Sequence, residues 1–300
     1  MDSTAAGIPQ TRVIGVRERL TAYIELTKPR IALMLVLTSA AGFYLGNTSA
    51  FDWALFTNAM IGIALLAFGV ATLNQFLERR TDLLMARTAE RPLPSGRLSA
   101  NEALVFGVLQ CLVAEIYLVF LANLLTATLG AIVILGYVLI YTPLKTRSSA
   151  CTAIGAIPGA MPPLMGWTAA TGDITLGAWA MFVIQFLWQF PHFLAIAWMY
   201  REQYAKAGIL MLPVLEPEGR LTARQIVSFA FMLLVASGAP FFLGLAGPVY
   251  LAGAGVLGIW FLAESIRFAL KRTNPLARRL LLVSVVYLPL LFILLVLTKN

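Results

Sequence analysis

The sequence predicts an all-α, polytopic membrane protein of nine transmembrane helices. Three observations carry that expectation. Hydrophobic residues make up 60% of the 300 and charged residues only 12%, about half the charged share of a soluble domain. Apolar runs long enough to cross a bilayer as helices recur along the chain. Basic residues then fall almost entirely on one side of the topology those runs define.

The runs give spans at 30–46, 53–76, 101–122, 125–144, 151–170, 175–199, 223–245, 248–268 and 277–298. Pro158, Pro162 and Pro163 interrupt the fifth, which predicts a kinked or broken helix. Residues 1–25 read as a flexible, basic cytoplasmic tail and 26–300 as one transmembrane domain. Arg12, Arg17, Arg19, Lys28 and Arg30 precede a full-length span, so no cleavable signal is expected. The loops Gly46–Asp52, Ala122–Thr126 and Gly172–Asp173 are too short to fold alone. Two long loops, 77–100 and 200–222, follow the second and sixth spans, an offset that hints at an internal repeat. Pro92, Pro94 and Gly96 stiffen the first of them. Ser99-Ala100-Asn101-Glu102 reads as a capping box opening the third span. Thr222-Ala223-Arg224-Gln225 reads the same way for the seventh. Asn274-Pro275 supplies an N-cap and first-turn proline for the ninth.

Of the 22 Lys and Arg residues, all but Lys299 lie on the side of the N-terminus and the long loops. The positive-inside rule makes that side cytoplasmic, with the C-terminus outside. The formal charge of +8 is therefore a topology signal with some anion-binding capacity, and no nucleic-acid partner is expected. Cys111 and Cys151 lack metal-type spacing, and no disulfide is expected between them.

Asn74, Glu78 and Asp82 stand four residues apart at the end of an apolar run. That spacing stacks an amide and two carboxylates on one helix face. Such oxygens are costly at a membrane rim unless something cationic meets them. Mg²⁺ holding phosphate oxygens is one such partner. The competing reading is a helix end whose acids pair with Arg79, Arg80 or loop arginines. Arg87 and Arg91, also four apart, suit a diphosphate.

Other strings could join that site. Tyr141-Thr142-Pro143-Leu144-Lys145-Thr146-Arg147 ends the fourth span, and Lys28-Pro29-Arg30 opens the first. His192, the one histidine, lies within a span in Trp188-Gln189-Phe190-Pro191-His192-Phe193. It is a candidate haem ligand or proton carrier, against the alternative of a satisfied core residue. Tyr200-Arg201-Glu202-Gln203-Tyr204 occupies the place of the first acidic string but holds one carboxylate. Glu115 lies deep in the third span, where it is expected to face a cavity or be protonated. Glu264 is expected to pair with Arg267.

These strings resemble the intramembrane prenyltransferases of the UbiA superfamily. The matching stretches are Leu26-Thr27-Lys28-Pro29-Arg30, Asn74 through Asp82, Arg87-Thr88, Arg91-Pro92-Leu93-Pro94 and Tyr141-Thr142 with Lys145. Pro162-Pro163-Leu164-Met165-Gly166-Trp167, Trp188 through Phe193, Tyr204 through Gly208 and Met211-Leu212-Pro213 complete them. The Trp-Gln-x-Pro-His-Phe and Pro-Pro-Leu-x-Gly-Trp strings are similar to the branch that farnesylates haem.

The resemblance implies nine helices around a central cavity open to the cytoplasmic side of a bacterial inner membrane. It implies farnesyl diphosphate and haem B as substrates, with a later haem-modifying or oxidase-assembly protein taking the product. Asn74, Glu78 and Asp82 become Mg²⁺ ligands, with Glu202 beside the altered second motif at Gln203. The family's phosphate-binding basic residues fall on Arg87, Arg91 and Lys145, and Arg30 and Arg147 in the neighbouring strings are further candidates for the diphosphate. With those substrates, Tyr141, Trp167 and Trp188 are candidates to face the prenyl cation, and His192 to contact the haem. Lys145 and His192 join the metal string as catalytic residues. Two alternatives stand beside this one: prenylation of an aromatic quinone precursor, and a membrane cation transporter using the same acidic string.

Overall fold

The computed structural model describes residues 12–300. Its helices run α1 (Val16–Leu26), α2 (Pro29–Gly46), α3 (Trp53–Leu83), α4 (Ala100–Leu121), α5 (Leu124–Ile134) and, after a π-helical segment at Leu135–Tyr141, α6 (Thr142–Leu144). They continue as α7 (Cys151–Gly159), α8 (Met161–Thr171), α9 (Leu176–Met199), α10 (Arg201–Lys206) and α11 (Leu212–Leu215). The last are α12 (Arg220–Ala236), α13 (Ala239–Phe242), α14 (Pro248–Lys271) and α15 (Asn274–Leu297).

Among the described residues, 8 helices are long and apolar enough to cross a membrane. They are α2, α3, α4, Leu124–Leu144, α9, Arg220–Phe242, α14 and α15. The expected fifth span is not one of them. It consists of α7 and α8, parted at Ala160. Pro162 and Pro163 stand in the first turn of α8, where a missing N–H is harmless, so the chain restarts there. The break expected in the fifth span is therefore present, and the remaining eight expected spans each coincide with a membrane-length segment.

Residues 16–25, expected as flexible tail, form α1 instead. Ala22 and Leu26 are buried against Leu93, Leu98 and Ala103. The rest of the expected tail, up to residue 11, lies outside the described residues. The capping box at Ser99 and Glu102 is present. The expected cap at Thr222 is not: α12 starts at Arg220, and Glu216 accepts from the Arg220, Leu221 and Thr222 N–H groups. The last cap shifts by one residue, to Thr273.

α3 is the element that carries the site. Asp52 caps it by accepting from Ala54 N and Leu55 N. Its 31 residues reach about 46 Å, beyond the roughly 30 Å hydrocarbon core. The helix thus outruns its apolar stretch, and Glu78 and Asp82 stay in helical register past the expected end at 76. α3 packs on α4 and α2 on α8; α9 lies against α12, α15, α8 and α7. At the far end Lys299 Nζ donates to Tyr44 O and Asn47 O, tying the C-terminus to the end of α2. Glu264 meets Arg267, as expected, and also Arg279.

Candidate active site

The four-residue spacing does place Asn74, Glu78 and Asp82 one turn apart on α3, and each faces a different base. Lys28 Nζ donates to Asn74 Oδ1 at 2.8 Å. Lys145 Nζ donates to Glu78 Oε1 at 2.5 Å. Arg91 Nη1 donates to Asp82 Oδ2 at 2.6 Å. Asn74 is also fixed from its other end, since Nδ2 donates to Thr142 Oγ1. The three bases arrive from three separate segments: the turn before α2, the end of α6, and the loop after α3. Asn74 and Asp82 are almost fully buried.

Each base is held there by local structure. Lys28 adopts a left-handed φ of 48°, unusual for a residue with a Cβ. That turn reverses the chain between α1 and α2 and aims the side chain at Asn74. Gln75 braces the same corner by donating to the Glu25 and Leu26 carbonyls. Burial, and after it the charge of Arg91, push the Lys28 ammonium down to about 7, while Glu78 pulls the other way. Burial also opposes charge on Lys145, but the Glu78 carboxylate, with Tyr141 and Tyr137, holds it well above the usual amine range.

The π-helical segment shapes the wall beside Lys145. It brings the Tyr137 and Tyr141 rings within 4.8 Å, and Lys145 Nζ lies 4.4 Å from the Tyr141 ring centre. Gly155 makes room for that ring, because a Cβ there would come within 2.4 Å of it. The two long loops meet over this wall. Arg87 stacks on Tyr200 at 4.9 Å, and its N–H donates to Gln203 Oε1. Leu210 N donates to Lys145 O.

His192 sits further along the bundle, on α9. It stacks on Trp188 with ring centres 4.6 Å apart. Its Nδ1 is 2.8 Å from Ser284 Oγ, and Trp188 Nε1 donates to Ser284 O. Ser284 Oγ has one proton and gives it to Leu281 O at 2.6 Å. His192 Nδ1 is therefore assigned as the donor to Ser284, which leaves the Nε2 lone pair available.

Residues 35–296 match the UbiA prenyltransferase family. The chain belongs to that family. A protoheme IX farnesyltransferase of Solibacter usitatus (strain Ellin6076) is 48% identical over 286 residues, covering 92% of this chain and 98% of that protein. One of Koribacter versatilis (strain Ellin345) is 43% identical over 297 residues, covering 95% and 96%. Among solved structures, a digeranylgeranylglyceryl phosphate synthase aligns with a TM-score of 0.79 at 16% identity, covering 94% of this chain and 98% of that one. A UbiA homologue from Archaeoglobus fulgidus bound to DMAPP and Mg²⁺ aligns at 0.62 and 16% identity, covering 91% and 98%. At such identities the likeness concerns the fold, which is that of a multi-pass membrane protein.

Within this UbiA chain the expected site residues separate into groups. Asn74, Glu78, Asp82, Arg91, Lys145 and Tyr141 come together. Arg87 lies at the rim with Tyr200. Arg30 and Arg147 are exposed, and it is Lys28, two residues before Arg30, that reaches the string. Glu202 is exposed on α10, while its neighbour Gln203 makes the loop contact. Trp188 and His192 form their own group with Ser284. Trp167 does not join either group: it packs against Gly46 and Gly177 toward the opposite end of the bundle. Among the described residues no three His, Cys, Asp or Glu side chains gather as a metal site; the string offers two carboxylates and an amide. Glu115 is half-buried beside Gly130, its Oε1 without a partner among the described residues.

Ser284 was missed, and Lys28 and Thr142 were in view only as members of their strings, without a role of their own. Lys28 stood in a string already singled out, and its position directly before the proline that starts α2 was the available signal. Lys28→Gly tests its role cleanly. Glycine accepts the positive φ without strain, so folding is expected to be unharmed or improved. Turnover is expected to fall about tenfold to a hundredfold from loss of one buried cation. Steady-state kinetics beside a thermal melt would check both halves.

Proposed function

We propose that this chain transfers a farnesyl group from farnesyl diphosphate to a vinyl group of haem B, with addition of water, giving haem O. The observation that carries the substrate pair is the name protoheme IX farnesyltransferase on relatives matching over nine-tenths of both chains. The acid-and-base face on α3 supports the chemistry. We place that face, and the N-terminus, on the cytoplasmic side of a bacterial inner membrane, with the C-terminus outside. The product would pass to a haem-modifying or oxidase-assembly protein.

The donor set suits Mg²⁺. Asn74, Glu78 and Asp82 present hard oxygens one turn apart, and Mg²⁺ needs few protein ligands when phosphate and water complete its shell. Glu202 is a further candidate from the second loop. Mg²⁺ held there would neutralise charge on the departing diphosphate.

The chain's own residues do the rest. Lys28, Lys145 and Arg91 each rest on one member of the string. An incoming diphosphate offers them better acceptors, so each is placed to turn from side-chain oxygen to phosphate oxygen. Arg87, with Arg30 and Arg147, adds to the basic rim. The C1–O bond of the farnesyl group breaks with its electron pair leaving on the diphosphate. Tyr141 and Tyr137 present ring faces to the allylic cation that remains. The terminal vinyl carbon of haem bonds to C1, and positive charge passes to the carbon beside the macrocycle. Water adds there and loses a proton. The surrounding apolar helices keep other water away until then.

His192 is assigned to the porphyrin, with Nε2 toward iron and Trp188 flanking it. In His192→Ala the absorption bands of bound haem B are expected to shift. An unchanged spectrum at full haem occupancy would remove the ligand role. The reaction itself is tested with purified protein, haem B, farnesyl diphosphate and Mg²⁺, followed by mass analysis of the haem. A haem heavier by one farnesyl group and one hydroxyl is expected. Intact haem B, with prenylation of an aromatic quinone precursor instead, would overturn the assignment.

A further inference from the structure

α1 shows an apolar face that none of the described residues covers. Val16, Leu20 and Ile24 are 78%, 61% and 59% exposed, and they recur every four residues. At about 100° per residue, Val16 and Ile24 flank Leu20 by roughly 40° on either side. Arg17 lies about 60° to one side of Leu20 and Arg19 about 100° to the other. Glu18 and Glu25 lie about 140–160° away, on the opposite face. Basic residues therefore border the apolar face, and acids avoid it.

The face is also continuous with surface that meets lipid. A groove runs between α1 and α4, lined by Leu20 and Tyr23 on one side and Val105, Phe106 and Leu109 on the other. Val105 and Leu109 are outward-facing residues of a membrane-crossing helix. α1 thus lies beside the mouth of α4, its apolar face on the lipid side and its buried face on Leu93, Leu98 and Ala103. An exposed apolar strip flanked by arginines is the pattern of a helix lying in the plane of a membrane surface. Long basic side chains beside it reach the headgroups while their stems stay in the apolar boundary.

We propose that α1 is an interfacial helix that seats Val16, Leu20 and Ile24 in the adjoining leaflet and holds anionic phospholipid headgroups with Arg17 and Arg19. Arg19 shares its guanidinium with Glu102, so among the described residues of α1 Arg17 is the freer of the two. The lipid contact bears on the α3 site through structure already described. Gln75 grips the last carbonyls of α1, and Lys28 follows two residues later, so seating α1 fixes the corner from which Lys28 reaches Asn74.

The test uses full-length protein in nanodiscs of phosphatidylcholine, alone or with added phosphatidylglycerol. Spin labels go on Leu20→Cys, Ile24→Cys and Glu18→Cys; Cys111 and Cys151 are buried and stay unlabelled. Labels at 20 and 24 are expected to favour lipid-soluble oxygen over an aqueous nickel chelate, and the label at 18 to reverse that order. Aqueous accessibility at 20 and 24 would overturn the proposal. So would shielding from both probes, which would mean that a second copy or another protein covers the face. The headgroup half is read by retention of phosphatidylglycerol in the purified protein. Arg17→Gln is expected to lower that retention about fivefold. Unchanged retention would overturn the anionic preference even if the labels sit in lipid.

Discussion

Asp82→Ala is expected to lower turnover by about 10²–10⁴-fold, with the helical signal and the thermal transition close to wild type. The side chain is almost fully buried and has one described partner, Arg91, at 2.6 Å. Its backbone carbonyl accepts from Thr88 Oγ1, and alanine keeps that contact. The fold therefore loses a buried ion pair, but the partner left behind, Arg91, is partly exposed and can turn to water, which limits the structural cost. A catalytic carboxylate loses far more. The double substitution Asp82→Ala/Arg91→Ala separates these cases. If the pair were only structural, removing both partners would relieve the unpaired charge and restore much of the turnover. The expectation here is that the double variant stays as impaired as the worse single one. Turnover measured across a Mg²⁺ titration gives the second readout, since loss of a ligand also raises the Mg²⁺ needed for half-activity. Recovery in the double variant at wild-type Mg²⁺ would sink the metal assignment.

A spacing of four residues fixes a helix face whatever the tertiary structure, so the α3 string was legible. The partners of that string were only partly so. Arg91 and Lys145 were in view, but their matching to Asp82 and Glu78 is tertiary. Lys28 depended on one left-handed residue between two helices, and no periodicity reports that. The π-helical segment at Leu135–Tyr141 was invisible for a similar reason. Seven apolar residues look alike whether their hydrogen bonds span four or five positions. Trp167 and Trp188 were indistinguishable as aromatic residues in apolar runs. Only packing shows that one fills a glycine-lined gap between α2 and α9 while the other stacks on His192. The break between α7 and α8 was legible because proline acts locally. The α1 helix was missed because its basic residues dominate a reading by charge, and its apolar stripe is only three residues long.

Gly166→Ala is expected to destabilise the protein by about 3 kcal/mol or more. A Cβ at 166 on α8 would lie 1.8 Å from Ser39 O of α2, and one at Gly42 on α2 would lie 2.0 Å from Pro163 O of α8. Each helix thus presses a glycine onto the other's backbone carbonyl. Neither obstacle can rotate away as a side chain would, so the helices must separate. Separation also breaks the Ser39 Oγ donation to Pro162 O, though Ser39→Ala alone is expected to cost only about 1 kcal/mol. Gly255 on α14 is the control, because nothing lies within 4 Å of a Cβ there. Gly255→Ala is expected to be neutral or to gain up to about 1 kcal/mol from helix propensity. Melting temperatures in one detergent should therefore fall in the order Gly255→Ala, Ser39→Ala, Gly166→Ala. The effect reaches the active site through α2, whose first turn follows Lys28. Moving that helix stretches the Lys28–Asn74 contact, so turnover should fall in Gly166→Ala even below its melting temperature. A Gly166→Ala protein with wild-type melting and wild-type turnover would mean that α2 and α8 are not in backbone contact.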